Sequence, residues 1–222
     1  MNYKIALEYH TNLMPLLKIS SLGEEKAWGL WHIRESEEAL SFGSMESCPE
    51  EIVNTQKRLE WLAGRNLIKS LAENLGLLYH GIKKDEYGKP FLNEHQHHIS
   101  LSHSYPYVAA QIDRLNPVGI DLEQPKDKLR RIAYRVFNKN EIADAGDNFT
   151  KLCIYWCGKE SLYKIYGKKN LHFIENLLIT PFTLAKAGSL TGTIRLSDHE
   201  TLVMLQYLVT EDFVMVYTDT TN

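Results

Sequence analysis

The stretch FTKLCIYWCGKESLYKIY, residues 149–166, places a tryptophan, a glutamate and a lysine along one line of a single helix. Its apolar and aromatic residues, followed by Gly167, predict a buried helix that ends at the glycine. Trp156, Glu160 and Lys164 follow one another at steps of four residues, so their side chains share a face. A Glu–Lys pair at this spacing is also typical of an ordinary helix surface. The helix alone therefore leaves both a structural pair and a functional site open.

Length and composition describe an ordinary globular protein. The chain has 222 residues, 44% of them hydrophobic and 24% charged, which is enough to form a core in one domain or two. A net charge of −3 disfavours nucleic-acid binding, which needs a broad basic surface. No apolar run is long enough to span a membrane, and the beginning, MNYKIALEYH, lacks the apolar core of a signal peptide. We therefore expect neither nucleic acid nor a membrane among its partners.

The cysteines favour a reducing compartment. There are three of them, Cys48, Cys153 and Cys157, and an odd number cannot pair fully within the chain. Cys153 and Cys157 lie on the apolar helix, where a small buried thiol is more typical than a disulfide or a metal pair. We expect a cytoplasmic protein.

Helix-like and strand-like segments occur in both halves of the chain. A proline and two acids begin a predicted helix over residues 49–76, and a basic helix is predicted over residues 127–145. The predicted strands are KIALEYH (4–10), KAWGLWHI (26–33), two strands around a bend in HHISLSHSYPYVAAQID (97–113), NPVGIDLE (116–123), LLITPFTL (177–184), SLTGTIRLSD (189–198), ETLVMLQYLV (200–209) and DFVMVYTD (212–219). This pattern predicts an α+β chain of two similar lobes, residues 1–114 and 115–222.

Two carboxylates end one of the predicted strands. Asp121 and Glu123 in VGIDLE are two residues apart, so their side chains leave the same face of the strand. They repel each other unless a cation or a shared proton relieves them. Mg²⁺ is suited to this role because it prefers hard oxygen ligands. Two solvated acids at a strand end remain the alternative, unless the fold brings Glu160 near them.

Several side chains could bind a phosphate. Lys89 lies in the tight turn YGKP (87–90), and Ser102 and His103 lie in SLSHS (100–104), where a hydroxyl beside an imidazole can bind a phosphate monoester. Each also fits a plain surface role, as an exposed turn lysine or a solvated histidine.

Two arginines on the predicted helix over residues 49–76 could bind the same anion. Arg58 and Arg65 are seven residues apart, which is two helical turns, so they can point in one direction. Arginines that lay their apolar stems along the surface give the same pattern.

Taken in order, YGKP, SLSHS, VGIDLE and WCGKESLYK resemble the motifs of the 4'-phosphopantetheinyl transferase superfamily, in its single-chain Sfp-type branch. One departure is Ser100, where that family often has an asparagine. The resemblance implies a pseudo-dimer of two α/β lobes, with coenzyme A in the cleft between them and the metal site near the lobe interface.

The resemblance implies an enzyme of the holo-[acyl-carrier-protein] synthase type. Such an enzyme transfers the 4'-phosphopantetheine arm of coenzyme A to a serine of an apo acyl or peptidyl carrier protein, and adenosine 3',5'-bisphosphate leaves. It depends on Mg²⁺, with Mn²⁺ as the alternative ion that the sequence leaves open. The expected partners are coenzyme A and the carrier protein, and the expected state is a monomer.

The resemblance also assigns roles to the motif residues. It implies Asp121, Glu123 and Glu160 as ligands of Mg²⁺, with Glu160 also the base for the carrier serine and Lys164 the group that stabilises the departing phosphate. The implied coenzyme A contacts are Arg58, Arg65, Lys89, Ser102, His103, Asp121 and Lys164. Arg65 is favoured over Arg58 because Gly64 precedes it. Glu141 is expected to support the metal site indirectly, and Lys159 either contacts phosphate or is solvated.

The basic segment PKDKLRRIAYRVF, residues 125–137, has two interpretations. It is either a solvated helix face or a docking surface for an acidic carrier protein. Two other functions remain possible for the whole chain. One is a non-catalytic module that binds coenzyme A or a carrier protein, and the other is a Mg²⁺-dependent phosphohydrolase.

Overall fold

The computed structural model describes residues 16–219. The elements of the first half are β1 (Leu16–Gly23), β2 (Lys26–His32), α1 (Glu37–Gly43), α2 (Thr55–Asn74), β3 (Ile82–Lys84), β4 (Pro90–Leu92), β5 (His98–Ser104) and β6 (Tyr107–Asp113). Those of the second half are β7 (Ile120–Glu123), α3 (Lys128–Val136), α4 (Lys139–Ala145), α5 (Phe149–Tyr166), α6 (Phe173–Asn176), β8 (Leu177–Ile179), β9 (Ala187–Arg195), β10 (Glu200–Val209) and β11 (Val214–Thr218).

The first half forms an antiparallel sheet with one long helix against it. The strand order is β1-β2-β6-β5-β4-β3. Helix α2 begins at Asn54, whose side chain accepts a hydrogen bond from the backbone N–H of Lys57 at 3.0 Å. Its apolar face, which includes Leu67 and Leu71, is fully buried in one core with sheet residues such as Val108. Burial of this face provides most of the stability of the helix.

The second half also has an antiparallel sheet, in the order β7-β11-β10-β9-β8, with the long helix α5 against it. Asn148 caps the start of α5 through the N–H of Lys151, and Gly167 ends it with a φ of 69°. A second glycine sets the distance between α5 and β7. A Cβ at Gly119 would overlap the backbone carbonyl of Ser161, so only glycine allows the strand to approach the helix this closely.

Strand β7 joins the two sheets. One edge of β7 pairs with β11, and serine hydroxyls of β5 bind backbone N–H groups at its other edge. Ser100 Oγ accepts from Ile120 N at 3.0 Å, and Ser102 Oγ accepts from Leu122 N at 3.2 Å. An apolar core between the sheets, formed by residues such as Trp28, lies beside this contact.

The predicted α+β class, with antiparallel sheets, is confirmed. The helix predicted over residues 127–145 is two helices, because Asn138 and Glu141 form a capping box that starts α4. The helix predicted over residues 49–76 begins only at Thr55, and α1 was not predicted. Most of the other predicted strands are found, but only 177–179 of LLITPFTL is a strand, and KIALEYH lies outside the described residues.

The lobe boundary between residues 114 and 115 stays a prediction. No helix within residues 16–219 combines the length and the apolar character needed to cross a membrane.

Candidate active site

Asp121 lies at the centre of the site, where β5, β7 and α5 meet. Its Oδ1 accepts hydrogen bonds from Ser102 Oγ at 2.6 Å and from Lys164 Nζ at 2.7 Å. Lys164 Nζ also donates to the carbonyl oxygen of Ile120 at 2.8 Å. The Asp121 residue is only 6% exposed, so its negative charge depends on these donors. The structure therefore brings three of the predicted site residues into direct contact.

Glu123 follows on the same face of β7. Its carboxylate accepts from Ser104 Oγ at 2.7 Å and forms an ion pair with Lys128 Nζ at 3.1 Å. Lys128 is half exposed, so this pair is partly screened by water. The alternation of β5 explains the pattern, because Ser102 and Ser104 point towards the same neighbouring strand.

Glu160 faces these acids from α5. Burial raises the pKa of its carboxyl to about 7; the nearby Asp121 and Glu123 carboxylates also raise it, and Lys164 opposes them. Among residues 16–219, no hydrogen bond or ion pair holds the Glu160 carboxylate. Glu160 is therefore a carboxyl group whose ionised form is disfavoured until a cation or a proton donor arrives.

The three acids suit a hard divalent cation in their chemistry, since all of their donor atoms are oxygens. Within the described part of the chain, no group of three or more His, Cys, Asp or Glu side chains is gathered closely enough to hold a metal ion as it stands. Asp121 and Glu123 are bonded to serine and lysine side chains instead. The unsatisfied Glu160 carboxyl beside two further carboxylates is the feature that a bound cation would relieve.

Ser102 and His103 point to opposite sides of β5, as successive strand residues do. Ser102 faces β7, whereas His103 faces α2, where its Nδ1 lies 3.2 Å from Glu60 Oε2. Burial lowers the pKa of the His103 imidazole, while Glu60 raises it and Lys57 and Lys164 lower it. His103 therefore lies between α2 and the Asp121 cluster.

Lys89 lies beside the C-terminal end of α5. Its Nζ donates to the carbonyl oxygen of Ile165 at 2.9 Å, one of the carbonyls left open at a helix end. Burial lowers the pKa of Lys89, and Asp85 raises it. Ile165 directly follows Lys164 in the chain. The hydrogen bond to Ile165 therefore brings Lys89, a predicted phosphate ligand, near the site.

The two predicted arginines have other partners. Arg58 Nε lies 2.7 Å from Glu37 and its guanidinium also donates to the carbonyl of Ile52, while Arg65 Nε lies 3.2 Å from Glu46. Within residues 16–219 neither arginine forms an ion pair with the acids of the site. Their roles as coenzyme A ligands stay predictions.

Two suggestions from the sequence need correction. Lys159 and Glu141 form an ion pair of 2.7 Å with side chains that are 0% and 1% exposed. Lys159 therefore cannot contact a phosphate or lie in solvent, and Glu141 is bound to Lys159 and not to the site acids. Trp156 stacks on Phe173 of α6 with a ring separation of 5.7 Å, so it packs the helix and does not enter the site.

One site residue was missed in the sequence. Glu60 is 3% exposed on α2 and contacts His103. Its helical neighbours Ala63, Gly64 and Leu67 are buried, so the apolar periodicity of RLEWLAGRNL already predicts that Glu60 faces inward. A buried carboxylate needs donors, and this requirement was the available indication.

Residues 117–217, which carry Asp121, Glu160 and Lys164, match the 4'-phosphopantetheinyl transferase superfamily. The resemblance predicted from the motifs is confirmed over this segment.

The similar curated proteins carry the same description. The chain is 34% identical over 124 residues to the 4'-phosphopantetheinyl transferase gsp of Aneurinibacillus migulanus, covering 52% of each chain. It is 37% identical over 89 residues to the 4'-phosphopantetheinyl transferase Sfp of Bacillus subtilis (strain 168), covering 37% of this chain and 39% of Sfp. A 4'-phosphopantetheinyl transferase of Bacillus subtilis is 34% identical over 142 residues, covering 59% and 61%. The chain thus spans about half the length of the curated relatives it matches.

Proposed function

We propose that the chain transfers the 4'-phosphopantetheine arm of coenzyme A to a serine of an apo acyl or peptidyl carrier protein. The products are holo carrier protein and adenosine 3',5'-bisphosphate, which is a reaction of the holo-[acyl-carrier-protein] synthase type. The observation that carries this proposal is the meeting of Asp121, Glu160 and Lys164 in the segment that matches the superfamily.

Asp121, Glu123 and Glu160 are the proposed ligands of Mg²⁺, or of Mn²⁺ in its place. Their oxygen donors and the disfavoured charge of Glu160 support this assignment. When bound, the ion supplies positive charge that neutralises the pyrophosphate of coenzyme A and the bridging oxygen of the bond to be broken.

The chain's own groups handle the proton and the leaving group. The carrier serine Oγ attacks the β-phosphorus of coenzyme A, and the bond from that phosphorus to the bridging oxygen breaks. The electron pair stays on the departing 5'-phosphate of adenosine 3',5'-bisphosphate. Glu160 accepts the serine proton, directly or through a water molecule. Lys164 Nζ stabilises the departing phosphate by charge and hydrogen bonding.

Coenzyme A would lie between the two sheets, in the cleft of a two-lobed pseudo-dimer with lobes 1–114 and 115–222. Its proposed contacts are Arg58, Arg65, Lys89, Ser102, His103, Asp121 and Lys164. The position of Lys89 beside the end of α5 and of His103 beside the Asp121 cluster supports this side of the molecule as the nucleotide site.

Helix α3 is the proposed docking surface for the carrier protein. Lys128, Arg130 and Arg131 are exposed on or near its outer face. An acidic carrier would be attracted to these charges, and the Lys128–Glu123 ion pair connects the helix to the site. We propose that the protein acts as a cytoplasmic monomer.

A transfer assay tests the proposal. The chain is incubated with coenzyme A, Mg²⁺ and several apo carrier proteins, and mass spectrometry is used to find a carrier heavier by one phosphopantetheine arm. Asp121→Ala should abolish transfer, because it removes a proposed metal ligand and the partner of Lys164, whereas Asp198→Ala in an exposed turn should not change it.

The other outcomes identify the competing functions. Coenzyme A binding without a mass shift on any carrier would indicate the non-catalytic module. Hydrolysis of coenzyme A without a carrier would indicate a phosphohydrolase. An Asp121→Ala variant with full activity and unchanged Mg²⁺ dependence would refute the metal assignment.

A further inference from the structure

Glu123 ends β7 with a carboxylate whose two oxygens have different partners. Oε1 accepts hydrogen bonds from Ser104 Oγ at 2.7 Å and from the backbone N–H of Gln124 at 3.0 Å. Oε2 lies 3.1 Å from Lys128 Nζ. The Glu123 side chain is 16% exposed, whereas that of Lys128 is 55% exposed. One oxygen is therefore bonded to neighbouring groups of the sheets, and the other is reached by a lysine from the solvent side.

The groups on Oε1 belong to a connected part of the fold. Gln124 Nε2 donates to the carbonyl oxygens of Ser104 and Tyr105, at 3.3 and 2.7 Å, so the end of β7 is tied to the turn between β5 and β6. Displacing Lys128 breaks none of these bonds. Oε2 can therefore exchange its partner while the Glu123 carboxylate keeps its place.

Lys128 is held less firmly than the groups on Oε1. It is the first residue of α3, where the positive end of the helix dipole disfavours a cation, and the first turn of this helix contains no acid. Within residues 16–219, its Nζ donates to Glu123 and to no other group. A half-exposed ion pair of this kind contributes little to stability, because water competes with it. Lys128 can therefore leave Glu123 at a small cost in free energy.

Two binding partners of opposite charge compete for this ion pair. The Mg²⁺ proposed for Asp121, Glu123 and Glu160 needs the same carboxylate that Lys128 neutralises. A carboxylate of an acidic carrier docked on α3 would in turn attract the same ammonium group away from Glu123. Each partner therefore binds more easily once Lys128 has left Glu123.

We propose that Lys128 couples carrier docking to metal binding, because its ammonium group neutralises Glu123 in the free protein and pairs with a carboxylate of the carrier in the complex. This inference rests on the function proposed above and adds how the carrier acts on the metal site. Two ligands that favour the same released state of Lys128 bind with positive cooperativity, and the factor is the same in both directions. For a half-exposed ion pair, that factor is about three- to fivefold in affinity.

Titration calorimetry with MgCl₂ alone tests the competition at Glu123. Lys128→Met should tighten Mg²⁺ binding by about three- to fivefold, because it removes the competing cation. Damage to the site would weaken binding, so the direction of the change separates the two explanations. Arg131→Met removes an exposed charge from the same helix, and its Mg²⁺ affinity should stay within about 1.5-fold of the wild type. Equal tightening by both variants, or none by Lys128→Met, would overturn the proposal.

The coupling is tested by the same titration in the presence of saturating carrier protein. The carrier is one that the chain modifies in the transfer assay, with its acceptor serine replaced by alanine so that no transfer occurs. It should tighten Mg²⁺ binding to the wild type and to Arg131→Met by about three- to fivefold, and to Lys128→Met by less than about 1.5-fold. Lys128→Arg keeps the charge and should keep the coupling. Equal tightening in Lys128→Met would show that the carrier acts through other groups.

Failure of the coupling and failure of the proposed function give different results. A wild-type protein that modifies the carrier but binds Mg²⁺ equally with and without it would refute the coupling alone. A wild-type protein that modifies none of several carriers would refute the proposed function, and the coupling with it.

Discussion

Helix α5 carries two lysine–carboxylate pairs with the same separation and different surroundings. Lys159 and Glu141 are 2.7 Å apart with side chains that are 0% and 1% exposed, and Lys164 and Asp121 are 2.7 Å apart with side chains 25% and 9% exposed. Distance alone does not distinguish a structural pair from a functional one. The distinction lies in which hydrogen-bonding positions remain open.

The Lys159 pair is closed. Lys159 Nζ donates to the carbonyls of Val136 and Phe173 at 2.9 and 2.8 Å as well as to Glu141. Glu141 accepts in addition from the N–H groups of Asn138 and Ile179, so the pair joins α4, α5, α6 and β8. Such a network stabilises one arrangement of the fold and leaves no group for a ligand.

The Lys164 pair is open on one side. Its neighbour on the helix, Glu160, has a carboxyl that nothing in residues 16–219 holds by a hydrogen bond or an ion pair. Burial and two adjacent carboxylates disfavour its charge. Carboxylates that disfavour one another's charge in this way are typical of a site that binds a ligand.

The largest expected effect comes from breaking the closed pair. Lys159→Met should reduce the free energy of unfolding by about 3–5 kcal/mol, because it leaves the buried Glu141 carboxylate without its cation. Urea denaturation followed by circular dichroism measures the change. In the same experiment Lys164→Met should cost less, about 1–2 kcal/mol, because Lys164 is partly exposed and Asp121 keeps the hydrogen bond from Ser102. Similar losses for the two variants would remove the contrast between the pairs.

Next in size is the catalytic effect of opening the other pair. Lys164→Met should lower kcat for phosphopantetheine transfer by about 100-fold or more, the effect typical of removing one donor to a developing oxyanion. The transfer assay with saturating coenzyme A measures it, and Lys186→Ala, an exposed lysine before β9, is the control. A Lys164→Met variant with normal kcat would show that this lysine only supports the strand.

An effect of similar size concerns pH. The folded-state pKa of Glu160 is raised from 4.5 to about 7, so the folded protein holds a proton that the unfolded chain has released between these values. Stability without metal should therefore fall as the pH rises from about 4.5 to 7, by up to about 3 kcal/mol relative to Glu160→Gln. Denaturation of both proteins across this range measures the difference.

Magnesium provides the check on that pH effect. At pH 8, Mg²⁺ should raise the melting temperature of the wild type more than that of Glu160→Gln, because the ion favours the ionised carboxylate. If the stability of the two proteins changes with pH in the same way, with or without Mg²⁺, the charge of Glu160 is not disfavoured in the folded protein.

The sequence was informative where a regular period places side chains. Asp121 and Glu123 follow from strand alternation, and Glu160 and Lys164 from helical spacing. The burial of Lys159 could not be predicted from helical spacing, because α5 is apolar on nearly all sides. The partner of Lys159, Glu141, also lies on a separate helix. The break at Asn138 was readable in principle, since an asparagine followed three residues later by a glutamate is a capping pattern.

Contacts between elements that are distant in the chain could not be predicted from the sequence. The pairing of Arg58 with Glu37 depends on the placement of α1, a short helix with one buried apolar residue, Leu40. The contact between Glu60 and His103 depends on how α2 packs against the β5–β6 hairpin, which no local sequence pattern specifies.

The serines of β5 protect an exposed strand edge. In the second sheet β7 is an outer strand, and an outer strand with free N–H groups can pair with another chain. The hydroxyls of Ser100 and Ser102 take up two of these N–H groups, so side chains of one half close the sheet of the other. The segment 117–217 that matches the superfamily would therefore present an unpaired β7 edge on its own, so its site geometry and its resistance to pairing with other chains both depend on the half that precedes it.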